Sequence, residues 1–325
     1  MTITAAGTNV RPLAPGQRAR LLVGDVDGGP ARLVHETTGS ALEAPNWTPD
    51  GRWLVFNQDG LLLRIAADAA PGRGPGPEVI ATGGITDANN DHVLSPDGRT
   101  LYLSAGDGHI HAVPFGGGEP RRVTNPPAPG DGKAHPFRHF LHGVSPDGRT
   151  LAYVGVEPFG GDDWGYRNIY TLPAAGGPDV RLTDTSAPSD GPEFSPDGAW
   201  IYFNSELESA IEGHAQLFRM RPDGTGLTRL TGDDRVNWFP HLSPDGRHLL
   251  YLSFPPGTEG HPADRDVILR LMDPDGGAPR DLVAFPGGQG SLNVNSWAPD
   301  SRHFAYVDYP LGAADAGPAA PPPLS

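Results

Sequence analysis

Three histidines and two acidic residues carry the side chains best suited to chemistry in this sequence. His92, His142 and His241 fall at related places in a repeated pattern, and Asp190 and Glu193 occupy similar places in another copy of it. Imidazole suits ions such as Mn²⁺ or Zn²⁺, and carboxylate oxygens suit Ca²⁺. Imidazole also exchanges protons near neutral pH. These residue types predict either acid–base chemistry or a divalent metal site with four candidate ligands: His92, His142, Glu193 and His241.

A short turn that recurs six times positions these residues. An apolar run leads into Ser-Pro-Asp-Gly or a close variant, and an alternating run of apolar and polar residues follows it. A period near 50 residues built from short strands is typical of a β-propeller. The sequence therefore predicts an all-β fold, a six-bladed β-propeller with four-stranded blades. The steps between copies are 47, 50, 50, 48 and 55 residues, and the copies begin at Thr48, Ser95, Ser145, Ser195, Ser243 and Ala298.

The strand that enters each turn is expected to lie nearest the propeller axis. A strand rises about 3.3 Å per residue, so the position three before the turn lies roughly 10 Å from it. Asp91, Glu193 and His241 reach the same opening only where the strand is bulged or twisted. In the alternative interpretation, these groups only bond one another and water, because unpaired buried polar groups are costly. Side chains alternate along a strand, so the positions three and five residues before the turn point in the same direction. The candidates for ligand binding at these positions are Asn90, His92, His142, Asp190, Trp238, Asn293 and Asn295. Asp91, which points in the other direction, is a further candidate.

The repeated turns define one face of the propeller, the turn face, and the longer connections define the opposite one, the loop face. Variable loops on a rigid scaffold commonly carry binding sites, so the site is expected on the loop face. The competing interpretation is that loop side chains pack on their own blade. The segments expected to be long and irregular are 125–138, 157–167, 206–214 and 255–266. Their candidate side chains are Trp164, Tyr166, His261 and Arg265, and His139 is a further candidate at the entry to blade three.

The two ends of the repeat array predict how the ring closes. Only one strand follows the sixth turn, whereas two strands precede the first complete repeat. Pairing the N-terminal strands with the C-terminal one completes the last blade and removes exposed sheet edges. The predicted boundaries are an N-terminal extension at 1–18, the propeller at 19–309 and a disordered Pro/Ala-rich tail at 310–325.

Charge and composition restrict the partners. The formal net charge of −15 opposes binding to nucleic acid, which depends on clustered Lys and Arg. The chain has no Cys, so disulfides and thiolate chemistry are excluded. Neither a signal peptide nor an apolar run long enough to cross a membrane is present. The expectation is a cytoplasmic protein without membrane insertion.

The Ser-Pro-Asp-Gly repeats followed by alternating aromatic strands resemble the TolB-type propeller repeat, and the resemblance covers roughly residues 19 to 309. It implies a stand-alone TolB-like propeller and is specific for fold rather than function. The polar opening is more weakly similar to oligogalacturonate lyases, propellers in which a His cluster and a Gln hold manganese. That resemblance implies a metal at the opening, with Gln289 as a further candidate.

Two functions from different classes follow. The leading hypothesis is that the loop face binds a small polar ligand, with a carbohydrate favoured, or a segment of a partner protein. The alternative is a metal-dependent carbohydrate-active enzyme such as a uronide lyase, in which the metal acidifies a proton next to a carboxylate. His92, His142 and Arg265 are its catalytic candidates, and Arg138 or Arg167 could also pair the carboxylate. A pure protein-interaction platform is the third possibility.

Overall fold

The chain folds as a six-bladed β-propeller in a computed structural model that describes residues 11–125 and 137–312. All regular secondary structure in these two ranges is β-strand, and no helix there could span a membrane. Each of the first five blades is a four-stranded antiparallel sheet whose strands follow one another in chain order. The predicted fold class and blade count are confirmed.

The strands run through the chain as follows. Strands β1 and β2 cover Ala19–Asp25 and Arg32–Thr37. Blade one contains β3 to β6, at Leu42–Trp47, Trp53–Gln58, Leu61–Ala66 and Glu78–Val79. Blade two contains β7 to β10, at Ala88–Leu94, Thr100–Ala105, Ile110–Pro114 and Arg121–Arg122. Blade three contains β11 to β14, at Arg138–Val144, Thr150–Phe159, Asp162–Pro173 and Val180–Arg181.

The remaining blades repeat this arrangement. Blade four contains β15 to β18, at Ser189–Phe194, Ile201–Ser205, Gln216–Met220 and Thr228–Arg229. Blade five contains β19 to β22, at Val236–Leu242, Leu249–Phe254, Arg265–Met272 and Arg280–Gly287. Strand β23 covers His303–Asp308. The outermost strand has only two residues in each of blades one to four, which limits the exposed sheet edge.

Blade six joins the two ends of the chain as predicted. Its sheet has the order β2-β1-β23, so the N-terminal strands form its outer part. The innermost position is taken by an irregular segment, connected to β23 by the bridge between Trp297 and Phe304 and by backbone hydrogen bonds from Ala305 to Ser296 and from Val307 to Ser291. The closure therefore depends on β1 pairing with β23 along six residue pairs, from Arg20 opposite Asp308 to Asp25 opposite His303.

The repeated turn owes its shape to a small hydrogen-bond network. In blade three the Ser145 hydroxyl donates to Asp147 Oδ1 at 2.6 Å and accepts the Thr150 backbone N–H at 2.9 Å. Asp147 Oδ1 also accepts the backbone N–H of Arg149 at 3.0 Å. Gly148 has a φ of 71°, a conformation that glycine adopts without steric cost. A buried aromatic residue lies on the strand that follows each turn: Phe56, Tyr102, Tyr153, Tyr202, Tyr251 and Tyr306.

The loop face differs from the expectation in one segment. Residues 157–167 are not an irregular loop, because β12 and β13 continue as one long hairpin and pair out to Phe159 opposite Asp162. The pairing continues past a register shift between Glu157 and Phe159, and Gly160 and Gly161, both at positive φ, form the tight turn of the hairpin. The segments 206–214 and 255–264 are irregular. Most of the fourth expected loop, 126–136, lies outside the described residues.

Both described ends of the chain pack on the propeller. Within the predicted extension, the backbone of Arg11 accepts the N–H of Ala41, and Gln17 forms a bridge with Leu311. Within the predicted tail, Pro310 accepts the N–H of Arg18. Residues 1–10 and 313–325 lie outside the described residues, so the predicted disorder of the tail stays a prediction there.

Candidate functional site

The inner strands of blades one to five are all interrupted by a shift of register. The shift lies between residues 43 and 46, 88 and 92, 141 and 143, 190 and 193, and 238 and 241. In three strands the residue four before the turn has positive φ, namely Ala44 at 53°, Gly191 at 63° and Phe239 at 56°. A bulge breaks the alternation of side chains. Side chains from both the odd and the even positions of these strands therefore face the interior. Asp91 needs this arrangement to reach the site.

A carboxylate–imidazole–carboxylate group forms the centre of the candidate site. His142 Nε2 lies 3.2 Å from Asp190 Oδ1 and 3.8 Å from Asp91 Oδ1. On the other side of the ring, Nδ1 donates to the backbone carbonyl of Asn293 at 3.0 Å. His142 and Asp91 are buried, while the Asp190 side chain keeps 17% of its surface exposed. Asp190 is thus the member of this group that a ligand can reach.

These contacts change the protonation of the group. Burial alone lowers the pKa of His142, but the charges of Asp91 and Asp190 outweigh it and raise that pKa to about 9. Burial raises the pKa of Asp91 to about 6. For Asp190, burial is outweighed by the hydrogen bond and charge of His142, which hold its pKa below the usual range. At neutral pH the imidazole is charged and Asp190 is an ionised acceptor.

Glu43 and Arg11 complete one side of the opening, and sequence reasoning missed both. Arg11 donates to the Gln289 carbonyl at 2.7 Å and to Asp264 at 2.9 Å, and contacts Glu43 Oε1 at 3.4 Å. Burial raises the pKa of Glu43 to about 7, although Arg11 opposes this. Glu43 occupies the position five before the turn in blade one, so the repeat could have identified it. Arg11 lies outside every repeat and could not be found that way.

His261 brings a half-buried imidazole to the same opening. Its Nδ1 lies 2.5 Å from Gln289 Oε1, which also accepts the Asn293 amide at 3.1 Å. The ring lies 4.2 Å from Trp238 and 5.1 Å from Phe239, centroid to centroid. Burial lowers its pKa, so the ring is neutral at pH 7 and Nε2 keeps a lone pair. We call the following six residues the mouth cluster: Glu43, Asp91, His142, Asp190, His261 and Gln289.

A second polar group lies nearer the turn face, and we call Glu193, His241 and Asn295 the inner cluster. His241 Nδ1 lies 2.5 Å from Glu193 Oε2, and its Nε2 lies 3.2 Å from the Leu292 carbonyl. Asn295 donates to Glu193 Oε1 at 2.6 Å, and the Leu242 backbone N–H donates to the same atom at 3.0 Å. Each group is satisfied by another protein group, as the structural interpretation of these residues expects.

His92 and Asn90 lie apart from both clusters. His92 is fully buried, and neither ring nitrogen has a hydrogen-bond partner. Burial lowers its pKa to about 4, against a weaker opposing effect of the Val55 and Asn90 carbonyls. The Asn90 amide nitrogen is also buried without a partner. His92 thus occupies the same repeat position as His142 but lies in a different environment.

The four predicted metal ligands do not fit a metal site as they stand. Both ring nitrogens of His241 and Nδ1 of His142 are engaged by protein oxygens, so none of these three atoms offers a lone pair to an ion. Among residues 11–125 and 137–312, no group of three or more His, Asp or Glu is arranged to hold a metal. The ligand set divides instead between the mouth cluster, the inner cluster and the isolated His92.

The other candidates lie away from the centre. His139 contacts the Gly108 carbonyl at 2.8 Å and packs against Phe137 and Tyr153, which places it between blades two and three. Trp164 stacks on Phe140 under the Arg138 guanidinium, 4.6 Å from the ring. Tyr166 packs on the exposed Phe159 of the long hairpin. Arg138 is thereby engaged, because it also donates to the Asp163 carbonyl.

A groove of about 1080 Å³ lies on the loop face above blade four. The long hairpin of blade three supplies Gly165 and Arg167, and the irregular loop of blade four supplies 209–213. The loop of blade five supplies 255–260 and Pro262, which is adjacent to His261 of the mouth cluster. Arg265 lines the same groove. The predicted binding segments of three blades therefore meet in one concave surface.

Comparisons with known proteins agree with the fold. The model of the TolB beta propeller domain matches residues 141–263. The protein Atu1656 of Agrobacterium fabrum is 39% identical over 283 residues, which cover 86% of this chain and 88% of that protein. A solved structure from Agrobacterium tumefaciens, provisionally called TolB, superposes with a TM-score of 0.79 at 36% identity and covers 91% of this chain and 99% of its own.

A more distant similarity connects the fold to the second resemblance. An oligogalacturonate lyase from Vibrio parahaemolyticus superposes with a TM-score of 0.52, covering 86% of this chain and 75% of its own. Its sequence identity is 13%, so the similarity concerns the fold alone. The relationship with Atu1656, by contrast, extends over most of both chains at an identity well above that level. The chain belongs to the TolB-like β-propeller family.

Proposed function

We propose that the protein binds a small polar ligand of the carbohydrate class on its loop face, where the mouth cluster adjoins the groove. The observation that carries this proposal is that Asp190 and His261 lie close enough for their charges to influence each other, while Gly260 and Pro262, the chain neighbours of His261, line the groove. Asp190 is ionised and partly exposed, and His261 directs its free Nε2 away from Gln289. Two acceptors side by side suit the hydroxyl groups of a sugar.

The surrounding residues support hydroxyl recognition over a purely apolar ligand. His142 and Gln289 fix the orientation of Asp190 and His261, so the two acceptors lose little freedom when a ligand binds. Proline and alanine side chains supply apolar groove surface for the carbon skeleton of a ring. They include Ala187, Pro188, Pro255 and Pro262. Trp164 and Tyr166 stand on the hairpin that borders the groove and could extend such a surface.

Glycan arrays followed by thermal-shift measurements test this proposal. A ligand at 100 times its dissociation constant should stabilise the protein by about 2.7 kcal/mol. His261→Ala and Asp190→Ala should abolish that stabilisation, because each removes one acceptor. His303→Ala, on the turn face, is the matched control and should keep it. Absence of a stabilising sugar across broad panels, or full retention in His261→Ala, would contradict the proposal.

The metal-dependent enzyme stays a prediction. It would require a different arrangement of the predicted ligands, because His241 and His142 direct their ring nitrogens at protein oxygens. Elemental analysis of the purified protein tests it directly. A stoichiometric content of Mn, Zn or Ca that is lost in His142→Ala would favour the enzyme. If the protein instead binds a segment of a partner protein, a peptide and no sugar should bind to the loop face.

A further inference from the structure

Arg167 is a partly buried arginine without a partner in the part of the chain that the structure describes. Among the described residues, no carboxylate lies within ion-pair distance of its guanidinium, and its buried Nε has no hydrogen-bond acceptor. Other arginines with limited exposure are engaged. Arg20 pairs with Asp308, and Arg270 pairs with both Asp233 and Asp281. Because a buried donor left without an acceptor costs free energy, this side chain points to a group that residues 11–125 and 137–312 do not supply.

The charge around Arg167 makes the missing partner more specific. The whole chain carries a net charge of −15, and three glutamates, Glu206, Glu212 and Glu259, line the same groove. Even so, the structure leaves Arg167 unpaired, and Glu206 accepts the backbone N–H of Gly213 instead. The Glu206 carboxylate is therefore engaged elsewhere, and the guanidinium of Arg167, unpaired among the described residues, can receive an acid from outside.

Position connects Arg167 with the proposed binding site. The groove that it lines includes Gly260 and Pro262, the chain neighbours of His261, and the positive charge of Arg167 adds to the effect of burial in lowering the pKa of that imidazole. Arg265 lines the same groove from blade five and is exposed. A ligand that places hydroxyl groups on Asp190 and His261 can thus extend an acidic group toward two cations.

We propose that Arg167 anchors a carboxylate of the ligand, so that the preferred ligand is a hydroxylated monocarboxylic acid such as a sugar acid. This inference rests on the proposed function and names its ligand class. A guanidinium binds a carboxylate with two parallel hydrogen bonds, which fixes both distance and orientation. A monoanion suits the site better than the dianion of a phosphate ester. Three glutamates line the groove, and they repel a dianion more strongly than a monoanion.

Calorimetry with matched ligand pairs tests the inference on the full chain. The probes are neutral sugars, the corresponding sugar acids, acetate and inorganic phosphate, and the variants are Arg167→Gln and Arg167→Lys. The wild type should bind a sugar acid at least tenfold more tightly than its neutral partner. Arg167→Gln should bring that ratio to about one without weakening the neutral sugar. Arg167→Lys should recover only part of it, because an ammonium lacks the planar fork.

The control is Arg221→Gln, which removes the same charge from an exposed arginine that stacks on Trp200. It should leave the ratio unchanged. Equal binding of acid and neutral sugar, or a ratio that survives Arg167→Gln, would overturn the inference while leaving the proposed function intact. Phosphate binding tighter than carboxylate binding would overturn the choice of ligand class. If no sugar binds but acetate stabilises the wild type and not Arg167→Gln, the anchor stands and the proposed function falls.

Discussion

His92 and His142 show how strongly the surroundings decide what one residue type does. Both lie three residues before the turn serine, on inner strands of neighbouring blades. His142 faces two carboxylates and a carbonyl, whereas His92 has no hydrogen-bond partner. The sequence predicts that polar side chains gather at this position of the inner strands. It does not predict how deeply each side chain is buried or which way its neighbours point. The two pKa values consequently shift in opposite directions.

Removal of each histidine should change a different limb of the stability–pH profile. The pKa of His142 is about 9 in the folded protein and about 6.5 when unfolded. Between these values the folded state holds the extra proton, so this stabilisation is complete below pH 6.5 and is lost as pH rises to 9. Between pH 6.5 and 9 the free energy of unfolding should fall by roughly 3 kcal/mol because of this group. His142→Gln should lack that part of the decrease. Urea unfolding at pH 6, 7.5 and 9 measures it.

His92→Gln is the matched control and should have the opposite sign. The folded pKa of His92 is about 4, so the unfolded state binds more protons between pH 4 and 6.5. The wild type therefore loses stability as pH falls through this window, and the variant should lose less. The slope between pH 6.5 and 9 should not change in His92→Gln. Identical alkaline slopes in His142→Gln and the wild type would refute the assignment of a charged His142.

The inner strands determine which residues can meet at the axis, and their bulges limited the sequence prediction. A strict period of two places Glu193 and His241 on the opposite side from Asp190 and Trp238. The register shifts at 190–193 and 238–241 turn both sets inward. Gly191 signals one such bulge, but Ala44 and Phe239 adopt positive φ without any glycine. Propensity alone could not reveal those two, because packing imposes the conformation.

Gly191→Ala should destabilise the bulge of blade four by about 2 to 4 kcal/mol. The residue has a φ of 63°, and an added Cβ would lie 2.9 Å from Asn204 Oδ1 and 3.1 Å from the Phe239 ring. Gly246→Ala is the control, since it shares a φ of 70° but has open space around the added Cβ. It should cost only about 1 kcal/mol. Chemical denaturation compares the two, and equal costs would exclude the close contact as the cause.

The whole ring was predictable because its information is distributed over six copies of one turn. Spacing predicted the number of blades, and the unequal ends predicted closure by the N-terminal strands, as the order β2-β1-β23 confirms. The part that was not predictable comes from single occurrences. Arg11 enters the opening from outside the repeats, and the sixth inner segment is irregular where a strand was expected. A repeat contains no information about a contact that occurs once.

Closure of the ring buries one ion pair between the two chain ends. Arg20 on β1 and Asp308 on β23 lie opposite each other, with Nε donating to Oδ1 at 2.9 Å and a terminal nitrogen to Oδ2 at 2.5 Å. Their side chains are 9% and 1% exposed. Desolvation makes the net value of such a pair small, whereas loss of one partner leaves a buried charge alone. Each single variant should therefore lose more free energy of unfolding than the double variant.

Arg20→Met should destabilise the propeller by about 3 to 5 kcal/mol, because Asp308 then stays buried without its partner. The double variant Arg20→Met/Asp308→Leu should recover most of that loss, since two apolar side chains fit a buried strand pair. Asp27→Asn is the control, because it weakens an exposed pair with Arg302 near the other end of the same strands and should change little. Urea unfolding gives the coupling free energy of the cycle. If the losses of unfolding free energy in the two single variants add up to that of the double variant, the pair does not help to close the ring. An unchanged m-value would show that the blade still unfolds together with the rest of the ring.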